Sequence, residues 1–123
     1  MSRSRVSLGK LGEDLACREL ERCGYAIVAR RYRTRYGEID IVARDGDVTV
    51  FVEVRARSSQ VCGTPFDSVT GQKRAKLVQM ARDYLARRAR GELVCRFDVV
   101  GVTRDIAGRL RAEVLRDAFT VDR

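Results

Sequence analysis

Residues 37–55 read GEIDIVARDGDVTVFVEVR, two runs of alternating apolar and polar residues on either side of the pair Asp45-Gly46. Alternation with a period of two is typical of a strand with one buried face. Asp-Gly is a favoured two-residue hairpin loop, because glycine accepts the positive φ that a type I′ turn requires. The stretch therefore predicts a β-hairpin with strands near residues 37–44 and 47–56.

The predicted pairing gives this hairpin two different faces. With Asp45 and Gly46 as the loop, Arg44 pairs with Asp47. The apolar face then consists of Ile39, Ile41, Ala43, Val48, Val50, Val52 and Val54. The other face carries Glu38, Asp40, Val42, Phe51, Glu53 and Arg55, with Glu38 directly opposite Glu53 and Asp40 on the diagonal.

Carboxylates this close together repel, and a raised pKa, a neighbouring cation or a bound divalent metal relieves the repulsion. Hard oxygen ligands of this kind suit Mg²⁺ or Mn²⁺. The alternative is a solvated sheet face on which Arg44 and Arg55 neutralise the acids through surface pairs worth about 0–1 kcal/mol each. Because Val42 and Phe51 share the face, we expect it to be half covered. A carboxylate that is partly buried there would need a partner to offset its loss of hydration.

Composition bounds the class of protein. The 123 residues, 45% hydrophobic and 34% charged, predict a single soluble domain over residues 1–123 with a real core. No apolar run approaches the roughly 18 residues of a membrane span. No apolar segment follows the basic start of the chain, so we expect no secretory signal and a cytoplasmic protein.

Cysteine and histidine content restricts the chemistry. Four cysteines without C-x-x-C spacing, and no histidine, argue against a zinc site and favour buried free thiols. The missing histidine also excludes histidine-dependent triads and nucleases. Any catalysis must therefore use carboxylates, a metal, lysine or arginine.

The net charge of +8 is unevenly distributed along the chain. Residues 36–54 carry −4, whereas residues 1–35 carry +5, residues 55–91 carry +7 and residues 92–123 are neutral. An acidic segment between basic ones suits a site that holds a cation while its surroundings hold a polyanion such as a phosphodiester chain. The alternative is that the excess of arginine over lysine, 22 to 3, reflects the base composition of the source genome and serves solubility.

Periodicity and capping residues outline the other elements. A first helix is predicted over residues 8–23, ending at Gly24. A second helix is predicted to start at Ser68 or Thr70 and end at Gly91. Its expected buried stripe comprises Ala75, Val78, Ala81, Leu85 and Ala89, with Leu77 and Tyr84.

Three further strands are predicted over residues 25–31, 94–102 and 109–115. The order αβββαββ predicts an α/β fold with a mixed sheet flanked by helices. The second helix is the crossover that could return the fourth strand parallel to the third.

Three segments, GKLGEDLA at 9–16, GEID at 37–40 and FVEVR at 51–55, resemble the YraN family of small bacterial proteins. That family is similar to archaeal Holliday junction resolvases of the PD-(D/E)xK nuclease superfamily. The resemblance covers nearly the whole chain. It implies a restriction endonuclease-like core that binds Mg²⁺ or Mn²⁺ through Asp40, Glu53 and the Val54 carbonyl.

The same resemblance implies roles for further residues. Arg55 stands where the superfamily usually has lysine, Glu13 matches an acidic residue of the first helix, and Gln72 matches a supporting polar residue. With Glu38, Asp40 and Glu53 these are the candidate catalytic residues. For Glu13 and Gln72 the alternative is a solvated helix side chain. Arginine stays charged at any accessible pH, so Arg55 can stabilise an anion but cannot activate water by losing a proton.

The implied activity is metal-assisted hydrolysis of phosphodiesters in branched or structured DNA, with a homodimer expected by likeness to the resolvases. Backbone phosphate contacts are expected from Lys73, Arg74, Lys76 and Arg57, together with arginines 82, 87, 88 and 90. One alternative is a catalytically degenerate nucleic-acid-binding module. Another is a protein-interaction domain, which predicts neither stabilisation by divalent metal nor salt-sensitive affinity for DNA.

Overall fold

Two helices cover the two faces of a five-stranded sheet in the computed structural model, which describes residues 2–58, 69–88 and 95–119. For residues 2–8, 57 and 58 only the backbone is described. The elements are α1 (Ser2–Arg22), β1 (Ala26–Thr34), β2 (Gly37–Asp45), β3 (Val48–Ser58), α2 (Gly71–Arg88), β4 (Cys95–Arg104) and β5 (Leu110–Phe119).

The strands lie in the order in which they occur in the chain, β1 to β5. Neighbours are antiparallel except β3 and β4, which are parallel and are separated in sequence by α2. The predicted element order, the mixed sheet and the parallel return after α2 are therefore confirmed.

Local capping sets the helix ends. α1 begins at Ser2, earlier than the predicted residue 8, and ends close to the predicted position. Gly24 has φ 97, and the Tyr25 N–H bonds the Leu20 carbonyl at 2.9 Å, which is the Schellman arrangement. At the start of α2 the Thr70 hydroxyl accepts the Lys73 N–H at 3.3 Å, as expected of an N-cap.

The sheet separates two apolar cores. The α1 side buries Ala16, Cys17, Leu20, Tyr25, Ile41, Ala43, Val50, Val52, Val100 and Val102. The α2 side buries Ile39, Val42, Phe51, Val69, Leu77, Met80, Ala81, Tyr84, Phe97, Val99 and Phe119. Burying a large apolar side chain contributes about 1.5–3 kcal/mol, so covering both faces stabilises the central strands strongly.

Two expectations about buried residues were wrong. Ala75 of α2 is exposed, because the helix turns Leu77 and Met80 toward the sheet instead. Among the described cysteines, all free, Cys17 is buried as expected but Cys23 is exposed, since it follows the last turn of α1. The expected stripe residue Ala89, the helix end at Gly91, Ser68 and Cys62 lie outside the described residues. Neither helix, within the described ranges, is long and apolar enough to cross a membrane.

The β2–β3 hairpin has a different register from the predicted one. Asp45 pairs with Val48, so the loop is Gly46-Asp47 and not Asp45-Gly46. Of these two loop residues only Gly46 has a positive φ, 63. A glycine with positive φ in the first loop position is typical of a type II′ turn, not of type I′.

β2 interrupts its alternation at Asp40. Ile39 and Val42 both face α2 although they are three residues apart, whereas Ile41 faces α1. The prediction that Ile39 and Ile41 share one face is therefore wrong. The interruption lies at a candidate site residue, where a strand commonly departs from ideal geometry.

The alternation of side chains along β1 is also interrupted, directly across from the break in β2. Ala29 and Tyr32 both pack on the α2 side, and between them Arg31 has φ 52, a value that bulky residues rarely adopt. The ladder pairs Arg30 with Ile41 and Tyr32 with Ile39, so Arg31 lies across from the break in β2.

Asp98 of β4 is a fully buried carboxylate that is satisfied by four donors. It accepts the Tyr25 hydroxyl at 2.6 Å, Arg96 Nε and Nη2 at 2.9 and 3.0 Å, and the Asp117 N–H at 2.8 Å. Asp117, with φ 54, lies where β5 shifts its register against β4. No buried side-chain polar atom in the described residues lacks a partner.

We expect Tyr25→Phe to lower the free energy of unfolding by about 1–3 kcal/mol, because Asp98 stays buried while losing a donor. Urea denaturation followed by circular dichroism measures the loss. Tyr32→Phe is the matched control, and it should change the stability by less than about 0.5 kcal/mol. Equal losses in the two variants would contradict a stabilising role for the Tyr25 hydroxyl.

The contribution of Tyr25 should also depend on pH. Burial, followed by the hydrogen bond to Asp98, raises the pKa of Tyr25 from 10.0 to about 12. The folded protein thus favours the neutral phenol, so this stabilisation is complete below about pH 10 and is lost as the pH rises toward 12. The stability difference between the wild type and Tyr25→Phe should narrow over that interval.

Candidate carboxylate site

The observed hairpin register brings Asp40 and Glu53 together. The pair Ile41–Val52 is part of the ladder, and the next residue on each strand is Asp40 or Glu53. Their side chains share a hydrogen bond. Asp40 Oδ2 also accepts the Val54 backbone N–H at 2.8 Å. Two carboxyl groups and a strand backbone therefore meet at one point of the hairpin.

Burial and the neighbouring Glu53 favour the protonated form of Asp40. Burial is the first cause that raises its pKa, and the hydrogen bond with Glu53 and the charge of Glu53 follow, giving about 8. The Val54 N–H opposes this shift. The proton on Asp40 allows two carboxyl groups to hydrogen-bond instead of repelling each other. A divalent cation would compete with that proton for the same oxygens.

Glu13 reaches toward the sheet from α1 but is bound by arginines of β1. It is only 9% exposed, and its Oε1 accepts Arg30 Nη2 at 3.0 Å and Arg31 Nε at 3.2 Å. Arg30 Nη2 also bonds Asp14 at 2.7 Å. The negative charge of Glu13 still contributes to the raised pKa of Asp40.

Regular alternation would place Arg30 and Arg31 on opposite faces of β1, so no sequence signal indicates that both bind Glu13. The left-handed backbone at Arg31 turns the second guanidinium to the α1 side. Such strained backbone values are concentrated at functional sites and persist only when the surroundings enforce them. The binding of Glu13 by both Arg30 and Arg31 is the part of the site that sequence reasoning missed.

Across the side chains that the structure describes, no three acidic, cysteine or histidine residues converge into a group that could hold a metal ion. A cation at this point would therefore depend on Asp40, Glu53 and backbone oxygen. Glu13, with its oxygens engaged by two guanidinium groups, lies beside the pair as a negative charge.

The remaining candidate catalytic residues are spread over three elements. Glu38 is exposed and is bound by Arg33 of β1 at 3.3 Å. The expected opposition of Glu38 and Glu53 was wrong, because the ladder pairs Ile41 with Val52 and not with Val50. The one-residue shift of the loop moved the pairing by two residues. Arg55 is half-buried two residues after Glu53 on β3, and Gln72 is exposed in the first turn of α2.

The predicted phosphate-binding residues on α2 differ in their availability. Lys76 is exposed and Lys73 is half-buried. The Arg74 guanidinium lies 5.4 Å from the centroid of the Phe119 ring, and its Nε donates to the Val69 carbonyl at 3.3 Å. Arg57 belongs to β3, but its side chain lies outside the described residues.

In the metal-free protein, we expect the contribution of Asp40 to stability to be complete below about pH 4 and to be lost as the pH rises through about 8, because the folded state holds the Asp40 proton more tightly than the unfolded chain does. Asp40→Asn should remove this part of the pH dependence. Urea denaturation in EDTA at pH 5 and pH 8 measures it. Asp47→Asn, in the exposed loop, should keep the wild-type dependence, and an unchanged dependence in Asp40→Asn would contradict the shift.

Residues 12–102, a span that includes Glu13, Asp40 and Glu53, match the model of the Uncharacterised protein family UPF0102. A UPF0102 protein of Pelotomaculum thermopropionicum is 43% identical over 120 residues, covering 97% of this chain and 100% of the relative. One of Moorella thermoacetica is 47% identical over 120 residues with the same coverage. One of Symbiobacterium thermophilum is 46% identical over 112 residues, covering 91% of this chain and 95% of the relative.

These matches confirm the YraN part of the resemblance indicated by the sequence motifs, since YraN and UPF0102 are two names for one family. The chain belongs to the Uncharacterised protein family UPF0102.

Proposed function

We propose that this protein is a Mg²⁺- or Mn²⁺-dependent DNA endonuclease whose metal is held by Asp40 and Glu53. The observation that carries the proposal is the pair itself, two carboxyl groups in contact with the pKa of Asp40 raised to about 8. Like groups so close destabilise a sheet, and apolar residues at both positions would avoid that cost. Carboxylates with perturbed pKa values are concentrated at functional sites.

The donor set suits a hard divalent cation. Asp40 and Glu53 supply carboxylate oxygen, the ligand that Mg²⁺ prefers. The Val54 N–H points to Asp40, and the N–H and C=O of one strand residue point toward the same neighbouring strand, so its carbonyl is expected on the same side. Mg²⁺ commonly keeps several waters and binds through one or two carboxylates, so Glu13 is not needed as a ligand.

A bound divalent cation would supply Lewis acidity and lower the pKa of a coordinated water. The other residues then have separate roles in this proposal. Arg55 lies two residues after Glu53 and thus on the same side of β3, where a permanent positive charge stabilises an anionic phosphate. Glu13, fixed by Arg30 and Arg31, adds negative charge that favours a cation at the pair. Glu38 and Gln72 are supporting polar residues.

The fold and the charge of α2 support the choice of substrate. The order αβββαββ with a mixed sheet is compatible with a restriction endonuclease-like core. α2 carries six basic residues and one acidic residue, which suits contact with backbone phosphate through Lys73, Arg74 and Lys76. By likeness to the resolvases, the proposed substrate is branched or structured DNA and the proposed assembly is a homodimer in the cytoplasm.

The second candidate is a nucleic-acid-binding module of the same fold without turnover. It is favoured by Arg55, which cannot lose a proton to water in the way that lysine can. The two candidates share the basic surface and differ in whether phosphodiester bonds are broken.

We expect the purified protein to cut a labelled four-way DNA junction in Mg²⁺ or Mn²⁺ but not in EDTA. Asp40→Asn and Glu53→Gln should each reduce cutting by at least about 100-fold, because each removes a ligand oxygen charge. Gel electrophoresis of the labelled products measures the rate, with a linear duplex of the same sequence as the comparison substrate.

Asp47→Asn, in the exposed hairpin loop, is the matched control and should cut like the wild type. Cutting that survives in both site variants would contradict the proposal and point to a contaminating nuclease. Salt-sensitive binding without cutting would favour the second candidate, and Arg55→Lys would then be expected to introduce metal-dependent cutting if the arginine alone prevents turnover.

A further inference from the structure

The two edge strands of the sheet differ in charge and in regularity. β1 carries Arg30, Arg31 and Arg33 and no acidic residue, and the positive φ of Arg31 interrupts its alternation. β5, at the opposite edge, carries two basic and two acidic residues. An edge strand presents unpaired backbone N–H and C=O groups, and clustered charge of one sign or a local irregularity keeps other strands away from them. The β1 edge has both of these protections, whereas the charge of β5 is balanced.

β5 keeps an unbroken register over residues 110–115. Its ladder with β4 holds from Leu110 to Leu115 and shifts only beyond that point. The turn before β5 is fixed by the Asp105 carboxylate, which accepts the Arg109 N–H at 2.8 Å. Within the described residues β5 pairs with β4 alone, so the outer backbone groups of this segment have no strand beside them.

The side chains of this segment alternate between the two faces of the sheet. Leu110, Ala112 and Val114 are partly buried on the side of α1. Arg111 and Glu113 lie between them on the other face, and both are exposed. Neither charged side chain has a hydrogen-bond or ion-pair partner among the described residues. The edge thus ends in a half-covered apolar row on one face and two unpaired opposite charges on the other.

A second copy of this chain fits that edge by symmetry. When two identical edge strands pair antiparallel and extend the sheet, the two-fold axis is perpendicular to the sheet, and each residue lies opposite one that faces the same side. With the axis at Ala112, Arg111 of each copy lies opposite Glu113 of the other copy. On the α1 side, Leu110 of each copy lies opposite Val114 of the other. Both faces are then complementary, apolar to apolar and positive to negative.

The neighbouring registers are less favourable. An axis at Arg111 places that arginine against itself, and an axis at Glu113 places that acid against itself. Like charges directly opposite each other destabilise a strand pair. An axis at Val114 places Glu113 opposite Leu115 and carries the pairing past the register shift of β5. The side chains of β5 therefore specify one register, with the small Ala112 at the axis.

The distribution of charge also favours β5 for self-association. Each copy carries a net charge of +8, so two copies repel each other least when the contact lies where the local charge is low. β5 itself is neutral, because Arg111 and Arg116 are balanced by Glu113 and Asp117. Self-pairing of β1 would instead bring the arginines of both copies into one interface.

We infer that this protein forms a two-fold homodimer in which the β5 strands of two copies pair antiparallel about Ala112, so that two five-stranded sheets become one. Strand addition at an edge supplies backbone hydrogen bonds, and the side chains on the two faces fix the register. The interface contains no residue of the carboxylate site or of α2. The inference therefore goes beyond the proposed function and does not depend on nuclease activity.

The test is sedimentation equilibrium of the full chain at loading concentrations from about 5 to about 500 μM, a range suited to a small interface. A reducing agent is present because Cys23 is exposed. Arg111→Glu and Glu113→Arg each place two pairs of like charges across the axis, whereas the double variant R111E/E113R restores two pairs of opposite charges. Arg35→Glu and Glu21→Arg are the matched controls, since they make the same changes in net charge at exposed residues outside β5.

We expect the wild type to sediment as a monomer–dimer equilibrium in this range. Each single variant in β5 should raise the dissociation constant by at least about tenfold, because like charges then lie directly opposite each other. The double variant should return to within about threefold of the wild type, since its opposite charges face each other again. The two controls should also stay within about threefold of the wild type, as expected for exposed residues away from the interface.

Three results would overturn the pairing. The wild type could stay monomeric up to about 500 μM, the single variants in β5 could dimerise like the wild type, or the double variant could be as weak as the single ones. Circular dichroism of each variant checks that the fold is retained. A monomer that cuts DNA overturns this inference alone, whereas a dimer with the expected charge dependence that does not cut DNA overturns only the proposed nuclease activity.

Discussion

Burial of the β2–β3 hairpin on both faces is the constraint on which the rest of the structure depends. Ile41 and Val52 face α1, while Val42 and Phe51 face α2, so the middle of the hairpin is buried on both faces. A shift of one residue in this pairing would turn a whole set of apolar side chains away from its core. The register that satisfies both cores is also the register that brings Asp40 beside Glu53, and the acidic pair is thus a consequence of how the hairpin is buried.

Two enclosed carboxylates of the same sheet show opposite solutions to burial. Asp98 receives four donors, including the Arg96 guanidinium, and its charge is compensated within the protein. Asp40 receives one backbone N–H and meets a second carboxylate, with a pKa raised to about 8. The hydrogen bonds of Asp98 link Tyr25, which follows α1, to β4 and β5, and the charge of Asp98 needs no further partner. Asp40 has no cationic side chain among its recorded partners in the described residues, and burial together with the repulsion between its charge and that of Glu53 is what raises its pKa.

Arginine has three different uses in this chain, and its excess over lysine does not distinguish them. Arg96 compensates a buried acid, and Arg30 and Arg31 clamp Glu13. Arg33 and Arg88 instead hold their charge at the surface, one in a weak surface pair and the other over tyrosine rings. The net charge of +8 therefore overstates the charge available to a polyanion, and the distribution of partners indicates where that charge lies.

The sequence by itself determined the order αβββαββ, the helix end at Gly24 and the candidate acids Asp40 and Glu53, because alternation, capping and turn residues act over a few neighbours. It placed the hairpin loop one residue early, since Asp45-Gly46 and Gly46-Asp47 are both acceptable turns locally. Only the tertiary structure decided between them, through the packing of both faces against two helices. The same packing enforces the left-handed backbone at Arg31, which no local preference of arginine predicts. It also brought α2 onto Gly37, since contacts between residues distant in sequence depend on the folded chain as a whole.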